Sequence, residues 1–446
     1  MSLQRVAPAV DESGRATKLE NEHRRKFFKE QAAAKNGGLR WVNIILRCAQ
    51  DQEVCRIASW EKCIHGMRLL MLKPMTRFLL FLLLYSSSLK AAAIQRIWLS
   101  FQREAPTHLT VNWETTEPGD SEVQFGTSEA LGGKVAQKEH VTLHHLEFPI
   151  PQKEGAYHYQ VRSGAETSAV YTFKAMPTKE LRIAVVGDWG FAQPDLSTLI
   201  KDDPHVLMTA GDNVSSLHEK GREGTKAFSA LIDSQPELFR STPFMPVLGN
   251  HDREIRSRGP KPPPEAVYDV DATAYREFFA LPGNEWNWTL SFPDFSARIV
   301  ALDLEHIQDM GTTWQTGHPF DEGSAQLAWY RQQMEPQHSG HTITIQNERN
   351  ATMRSQLKGE WGRLFQQGTA VITGFGYFAE RAMVDGFPYY NTALKGNGDK
   401  YPDPKSAFFA SEHSYILLTF KPESPMQIEL KSLAGQVLDQ QSYPAK

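Results

Sequence analysis

Three short apolar runs in the second half of this chain each end in Gly followed by Asp or Asn. They lead into Gly187-Asp188-Trp189-Gly190, Gly211-Asp212-Asn213 and Gly249-Asn250-His251-Asp252. A short apolar run that ends in turn-forming residues is typical of a buried parallel strand. Ligand sites in open α/β sheets lie beyond the carboxyl ends of such strands. The pattern therefore predicts that Asp188, Asp212, Asn250 and His251 converge at one sheet edge.

Strand-like and helix-like segments alternate through the rest of residues 179–446. Helices are predicted at 196–201, 224–234, 325–333 and 356–367, and further strands at 297–303, 342–345 and 369–373. A hairpin from residue 415 onwards is expected to close the sheet. Such alternation predicts a layered α/β domain.

Residues 94–178 follow a different pattern, in which apolar and polar positions alternate with a period of two. Leu109, Val111 and Trp113 fall on one face of a predicted strand, and residues 157–161 repeat the arrangement. A turn is predicted at 117–120. Six or seven short strands in this space predict a small β-sandwich of the fibronectin type III kind.

The first 93 residues differ from both domains. Residues 1–66 are rich in charged side chains and contain all three cysteines, at spacings that match neither a redox pair nor a zinc knuckle. We interpret them as an upstream extension, either disordered or artefactual, with a cytoplasmic tail as the alternative. Residues 67–93 combine a basic lead, the apolar run 78–85 and a small-residue end at Ala93, which is the layout of a signal peptide.

This apolar run is well short of the roughly 20 residues that a membrane-spanning helix needs. We therefore predict a cleaved signal rather than a stable membrane anchor, with secretion or periplasmic location after cleavage near Ala93. The net charge of -4 gives no indication of a nucleic-acid partner.

The residue types at the three strand ends suit phosphoryl transfer to water. Two metal ions about 3.5–4 Å apart can polarise a phosphate, generate a nucleophile and stabilise the leaving group. Such a centre needs carboxylates, a neutral amide and a nearby imidazole, which Asp188, Asp212, Asn250 and His251 provide. The structural alternative is that these residues only cap turns and helix starts.

The motifs GDWG, GDNV and GNHD resemble the first three blocks of the calcineurin-like metallophosphoesterases. The preceding sandwich, with AYREFFALPGN, WNWTLSFPDFSARIVALDLE and QLAWYRQQM, makes the chain similar to purple acid phosphatases. This resemblance implies that Asp188 binds one metal, Asp212 bridges two, Asn250 binds the second and His251 donates a proton to the leaving oxygen. It also implies divalent metal ions such as Mn, Mg, Fe or Zn, and a phosphorylated small molecule as substrate.

The second half of the family's site differs in this chain. Ser215 occupies the position of the tyrosine that gives purple phosphatases their colour, and Asn347, Phe375 and Tyr377 occupy the positions of three expected histidine ligands. Gly374 and the pair Glu380-Arg381 fix that register. Loss of three imidazoles argues against an intact two-metal hydrolase.

Three compensations remain open. Asn347, Glu348 and Tyr377 could supply oxygen ligands, which would suit Mg²⁺, Ca²⁺ or Mn²⁺ better than Fe or Zn. A histidine from elsewhere could take part, the candidates being His306, His318 and His413. Arg253, Arg349 and Arg381 could bind phosphate directly, without a metal.

The sequence therefore supports two functional hypotheses. One is an exported metallophosphoesterase that hydrolyses phosphate monoesters with metal-activated water at a remodelled site. The other is a catalytically inactive relative that binds a phosphate-bearing ligand or a protein.

Overall fold

A computed structural model describes residues 93–218, 224–256, 259–335, 339–357, 359–398 and 402–446. The predicted extension, and the predicted signal peptide apart from Ala93, lie outside this range. The described residues fall within one compact unit. In that part of the chain, no helix has both the length and the apolar character needed to cross a membrane.

The amino-terminal region is built from six β-strands, with one core of buried aromatic and aliphatic side chains. The strands are β1 (Ile94–Ser100), β2 (His108–Gly126), β3 (Gly133–Pro149), β4 (Ala156–Ser163), β5 (Glu166–Thr167) and β6 (Tyr171–Lys174). In β2, the first half pairs with β1 and the second half pairs with β4, while β3 follows it along both halves. These long shared strands join all six strands into one hydrogen-bonded β-rich region.

The turn predicted at 117–120 is wrong, because these residues belong to β2. The register between β2 and β3 shifts on either side of Gly119. Such irregularities bend a strand without ending it. Gly119 also allows a close approach, since a Cβ atom there would lie 2.2 Å from Ser163 Oγ.

The α/β domain follows directly. Its strands are β7 (Leu181–Val186), β8 (Val206–Thr209), β9 (Leu217–His218), β10 (Phe244–Met245), β11 (Glu254–Ile255), β12 (Trp288–Phe292), β13 (Ala297–Ala301), β14 (His341–Gln346), β15 (Ala370–Thr373), β16 (Ala379–Val384), β17 (Phe387–Asn391), β18 (Ser406–Ala410), β19 (Ser414–Phe420), β20 (Met426–Ser432) and β21 (Val437–Tyr443). Its helices are α1 (Ser197–Lys201), α2 (Thr225–Ser234), α3 (Pro236–Phe239), α4 (Thr273–Phe278), α5 (Ala325–Met334), α6 (Asn350–Gln356) and α7 (Glu360–Gln367).

These strands form two large sheets, with orders β10-β8-β7-β19-β20-β21 and β12-β13-β14-β15-β17-β16-β18. The strands that precede the predicted site residues are parallel, namely β7, β8 and β10 in one sheet and β14 and β15 in the other. The predicted carboxyl-terminal hairpin is present as β19 and β20, and β19 pairs antiparallel with β7. The layered α/β architecture is thus confirmed.

Two details differ from the predicted elements. The third apolar run forms a strand only at Phe244–Met245, and the residues between it and Gly249 have no regular secondary structure. The helix predicted at 356–367 begins only at Glu360, as α7, while the separate helix α6 ends at Gln356, and Gly359 between them has a φ of 68°. A positive φ breaks a helix and is readily adopted by glycine.

The two sheets approach most closely where β7 and β15 end. A Cβ atom on Gly187 would lie 2.5 Å from the Cα of Gly374, and a Cβ atom on Gly374 would lie 2.7 Å from the carbonyl oxygen of Ala210. Both positions therefore require glycine. This contact brings the carboxyl ends of both sheets to one place.

Candidate functional site

The floor of the site consists of two buried carboxylates, those of Asp188 and Asp212. They are only 2% and 6% exposed, and their side chains share a hydrogen bond. Both residues adopt the left-handed conformation, with φ of 51° and 52°. Non-glycine residues are uncommon in this region, and such backbone strain is often found at functional sites. The predicted convergence of the first two strand ends is confirmed.

Burial dominates the electrostatics of this floor. It raises the pKa of Asp212 to about 7, although hydrogen bonds from the His251 amide and the Asp188 side chain act in the opposite direction. The Asp212 carboxyl therefore carries a proton over part of the neutral range when no cation is bound. A bound cation would displace that proton, because it favours the ionised carboxylate.

Asn347 lies beside this floor, where β14 ends. Its amide nitrogen donates to the carbonyl oxygens of Ala210 at 2.8 Å and of Gly374 at 3.2 Å. Its Oδ1 is buried and has no hydrogen-bond donor. A Cβ atom placed on Gly249 would lie 2.3 Å from Asp212 Oδ1 and 2.9 Å from Asn347 Oδ1. The two oxygens therefore border the same small volume.

His251 stands at the edge of the floor and is half-buried. Its backbone amide donates to Asp212 Oδ1 at 3.2 Å, and its Nδ1 lies 2.7 Å from the carbonyl oxygen of Ser215. Because a carbonyl only accepts, Nδ1 carries the proton and Nε2 is the nitrogen left for a ligand. Asn250, the preceding residue, begins the same single-turn 3-10 helix and is also half-buried.

Asn213 and Asp252, for which the sequence predicted no role, fasten the loops that carry Asp212 and His251. The fully buried carboxylate of Asp252 accepts hydrogen bonds from the Asn213 side chain at 2.8 Å and from the amides of Gly249 at 2.8 Å and Val214 at 3.2 Å. Asn213 follows Asp212 in the motif GDNV, and Asp252 follows His251 in the motif GNHD. These positions are the sequence feature that could have indicated their role at the site.

The weaker ligand candidates are engaged in other contacts. Glu348 accepts hydrogen bonds from the amides of Ile307 at 3.0 Å and Arg349 at 2.8 Å, one on each carboxylate oxygen. Phe375 has no ligating atom. Tyr377 lies in an aromatic cluster, with its ring centroid 5.8 Å from that of Phe191.

Two of the three arginines proposed to bind phosphate are committed to ion pairs. Arg253 is fully buried and pairs with Asp303 and Glu305. Arg381 makes a two-point contact with Asp439, at 2.7 and 3.0 Å. These contacts correct the expectation that Arg253 and Arg381 face a ligand. Arg349 is half-buried, and its backbone amide donates to the carboxylate of the preceding residue, Glu348.

The histidines considered as substitutes also have local contacts. His318 Nδ1 lies 2.6 Å from Asp303, and its ring stacks on Trp286 at 3.8 Å. His413 Nδ1 accepts from the amide of Gly396 at 2.9 Å. His306 Nδ1 lies 3.6 Å from Asp309. Each of the three imidazole rings therefore has a local contact partner, which favours a structural role over a role as a substitute metal ligand.

An imidazole-rich two-metal centre does not fit this site. Across the described residues, no group of three or more His, Cys, Asp or Glu side chains could hold a metal ion. A single hard cation fits better, because the atoms that meet at the floor are the carboxylate oxygens of Asp188 and Asp212 and the orphaned Oδ1 of Asn347. Mg²⁺ is often held by one or two carboxylates together with a ligand phosphate.

Comparison with known proteins agrees with this fold. Residues 181–353 match the family model for calcineurin-like phosphoesterase. Acid phosphatase type 7 from Mus musculus is 24% identical over 234 residues, 47% of this chain and 49% of that protein. The human protein of the same name is 26% identical over 252 residues, 51% of this chain and 53% of that protein. The chain thus spans about half the length of these curated relatives.

Among solved structures, the purple acid phosphatase PPD1 from yellow lupin superposes with a TM-score of 0.60 at 15% identity, covering 79% of this chain and 74% of that one. The fold is therefore that of a metallophosphoesterase. This chain carries a calcineurin-like phosphoesterase domain and is homologous to the purple acid phosphatases. That family acts on phosphoesters and uses divalent metal ions.

Proposed function

We propose that this protein is an exported metallophosphoesterase that binds phosphate monoesters through one hard divalent cation and hydrolyses them with metal-activated water. One observation carries the proposal: the oxygen-only donor set formed by Asp188, Asp212 and Asn347 Oδ1 at the convergence of both sheets. These residues would hold the cation. When bound, it would polarise the phosphate and acidify a water molecule.

The chain's own residues would supply the rest of the chemistry. Two buried carboxylates repel a phosphate dianion, so phosphate binding at this floor requires a positive charge between them. His251 presents Nε2 at the edge of the floor, because Nδ1 is held by the Ser215 carbonyl. A protonated Nε2 could donate to the leaving oxygen, which is the role of a general acid.

The test is the release of p-nitrophenol from p-nitrophenyl phosphate in the presence of Mg²⁺ or Mn²⁺. We expect turnover that a chelator abolishes and that Asp212→Asn lowers by at least about 100-fold, since even outer-shell changes cost about 10–100-fold at metal sites. Asp385→Asn is a matched control, because Asp385 is exposed and has the same φ of 52° as Asp212. Full activity in Asp212→Asn, or no turnover with either metal, contradicts the hydrolytic proposal.

A second candidate is a binding module that holds a phosphate-bearing ligand without turnover. The replacement of three imidazoles by Asn347, Phe375 and Tyr377 favours it, because a second metal then lacks nitrogen donors. Phosphate binding that depends on Mg²⁺, in a preparation without turnover, would support this candidate over the first.

Export is proposed from the signal-like segment at 67–93. Mass spectrometry of the protein isolated from outside the cytoplasm should find a mature amino terminus near Ile94. A terminus at Met1 would contradict export by this route.

A further inference from the structure

An ammonium group stands over the aromatic side chains at the rim of the site. Lys395 Nζ lies 4.3 Å from the centroid of the Tyr377 ring and 6.0 Å from that of Phe191. These ring faces attract a cation electrostatically. Lys395 is half-buried, so its side chain is still partly accessible to an anion.

The turn that carries Lys395 is fixed directly beside the floor. The amide of Leu394 donates to the carbonyl oxygen of Gly187 at 2.9 Å, one residue before Asp188. The amide of Gly396 donates to His413 Nδ1 at 2.9 Å. A Cβ atom on Gly396 would lie 2.3 Å from the backbone of Glu412. The turn is therefore held on both sides of Lys395.

Lys395, Tyr377, Phe191 and His251 form a continuous half-buried rim. The Phe191 ring lies edge-to-face with His251 at 4.8 Å and with Tyr377 at 5.8 Å. The rim thus combines a fixed positive charge, an imidazole and two aromatic rings. The floor next to it combines carboxylate and amide oxygens.

We infer that Lys395 contacts the phosphate of the ligand and that Phe191 and Tyr377 contact the group attached to it, so the site selects aryl phosphate monoesters. The inference rests on the proposed function of the same site. A floor that holds one cation rather than two would offer a phosphate less positive charge, and an ammonium at the rim would offset part of that difference. An ammonium is a point charge well suited to phosphate.

The attached group of a monoester bound between floor and rim would extend along the two rings. A flat aryl group can stack on an aromatic ring or meet its edge, and either contact is favourable beyond simple burial. A short alkyl group cannot make these contacts. The rim therefore predicts preference for phenyl phosphate over methyl phosphate.

Calorimetric titration in the presence of Mg²⁺ tests the inference, with phenylphosphonate and methylphosphonate as the uncleavable analogues that report the binding of phenyl phosphate and methyl phosphate. Lys395→Met and Lys395→Gln are expected to weaken phenyl phosphate binding by about 10–100-fold, the usual range for losing a hydrogen bond to a charged group. Lys395→Arg should restore part of the affinity. Lys201→Met is the control, because Lys201 is exposed in the last turn of α1. Phe191→Leu should lower affinity for phenyl phosphate but not for methyl phosphate.

The outcomes separate this inference from the proposed function. If the protein binds phenyl phosphate, loses it in Asp212→Asn and keeps it in both neutral Lys395 variants, the role of Lys395 is wrong while the site stands. If phenyl and methyl phosphate bind equally, the aryl preference is wrong. If the unaltered protein binds neither compound, the proposed function fails as well.

Discussion

Replacing Arg253 by methionine is expected to lower the free energy of unfolding by about 3–5 kcal/mol, the usual cost of removing one partner of a buried ion pair. The Arg253 guanidinium is fully buried and pairs with Asp303 and Glu305. It also donates to the carbonyl oxygen of Gly249 at 3.3 Å, which holds the loop that carries His251. Domains are typically stable by only about 5–15 kcal/mol, so this loss is large.

The charges of the cluster explain the size of the effect. Burial disfavours ionisation, but Arg253 holds the pKa of Asp303 well below its usual range. Burial raises the pKa of Glu305 well above its usual range, and Arg253 acts in the opposite direction. Without Arg253, the buried Asp303 carboxylate would lose its cation and keep His318 as a hydrogen-bond partner, with Nδ1 at 2.6 Å and the backbone amide at 2.9 Å.

Urea unfolding monitored by circular dichroism measures this prediction. Arg363→Met is the control, since Arg363 is 51% exposed and bridges Glu335 and Glu360 at the surface. Surface ion pairs contribute at most about 1 kcal/mol. Equal losses in the two variants would mean that the Arg253 cluster is not the buried ion pair described above.

Restoring imidazoles is expected to change the number of bound metal ions. The triple replacement Asn347→His, Phe375→His and Tyr377→His returns nitrogen donors to the positions at which the family resemblance expects them. We expect Zn²⁺ binding to rise from at most one to two equivalents per chain, because imidazole nitrogen is a favoured zinc ligand. The change also removes the hydrogen bonds of Asn347 to Ala210 and Gly374, so some stability is lost.

Metal analysis after dialysis against Zn²⁺ measures the number bound, with thermal unfolding as the check that the variant is folded. The control adds Asp212→Asn to the triple replacement, which removes the carboxylate expected to bridge the two ions and should return the number to one or fewer. A folded triple variant that binds no more zinc than the unaltered protein would show that imidazole loss is not what limits the site.

Much of this arrangement followed from local sequence. Short apolar runs ending in Gly-Asp or Gly-Asn predicted where β7 and β8 end, and therefore that Asp188 and Asp212 would meet. The alternation of predicted strands and helices also indicated the layered domain. Hydrophobic periodicity could identify these elements because it reflects which of their faces are buried. The resemblance of GDWG, GDNV and GNHD to the motifs of calcineurin-like metallophosphoesterases indicated the family.

The contacts that decide function came from parts of the chain far apart in sequence. The sequence offers Arg253 as a candidate phosphate ligand, because its partners Asp303 and Glu305 lie far from it along the chain and cannot be inferred from its neighbours. Local sequence likewise gives no sign that the Ile307 amide donates to the Glu348 carboxylate. Lys395 belongs to no recognised motif, and contacts distant in sequence, such as the hydrogen bond from Leu394 to Gly187, bring it to the site.

The central claim is that this site holds one hard cation on oxygen ligands. Calorimetric titration of the unaltered protein with Mn²⁺, in the presence of the uncleavable analogue phenylphosphonate, tests it most directly. The structure predicts one equivalent of Mn²⁺ per chain, lost in Asp212→Asn and retained in Asp385→Asn. Two equivalents, or no binding at all, would contradict the claim.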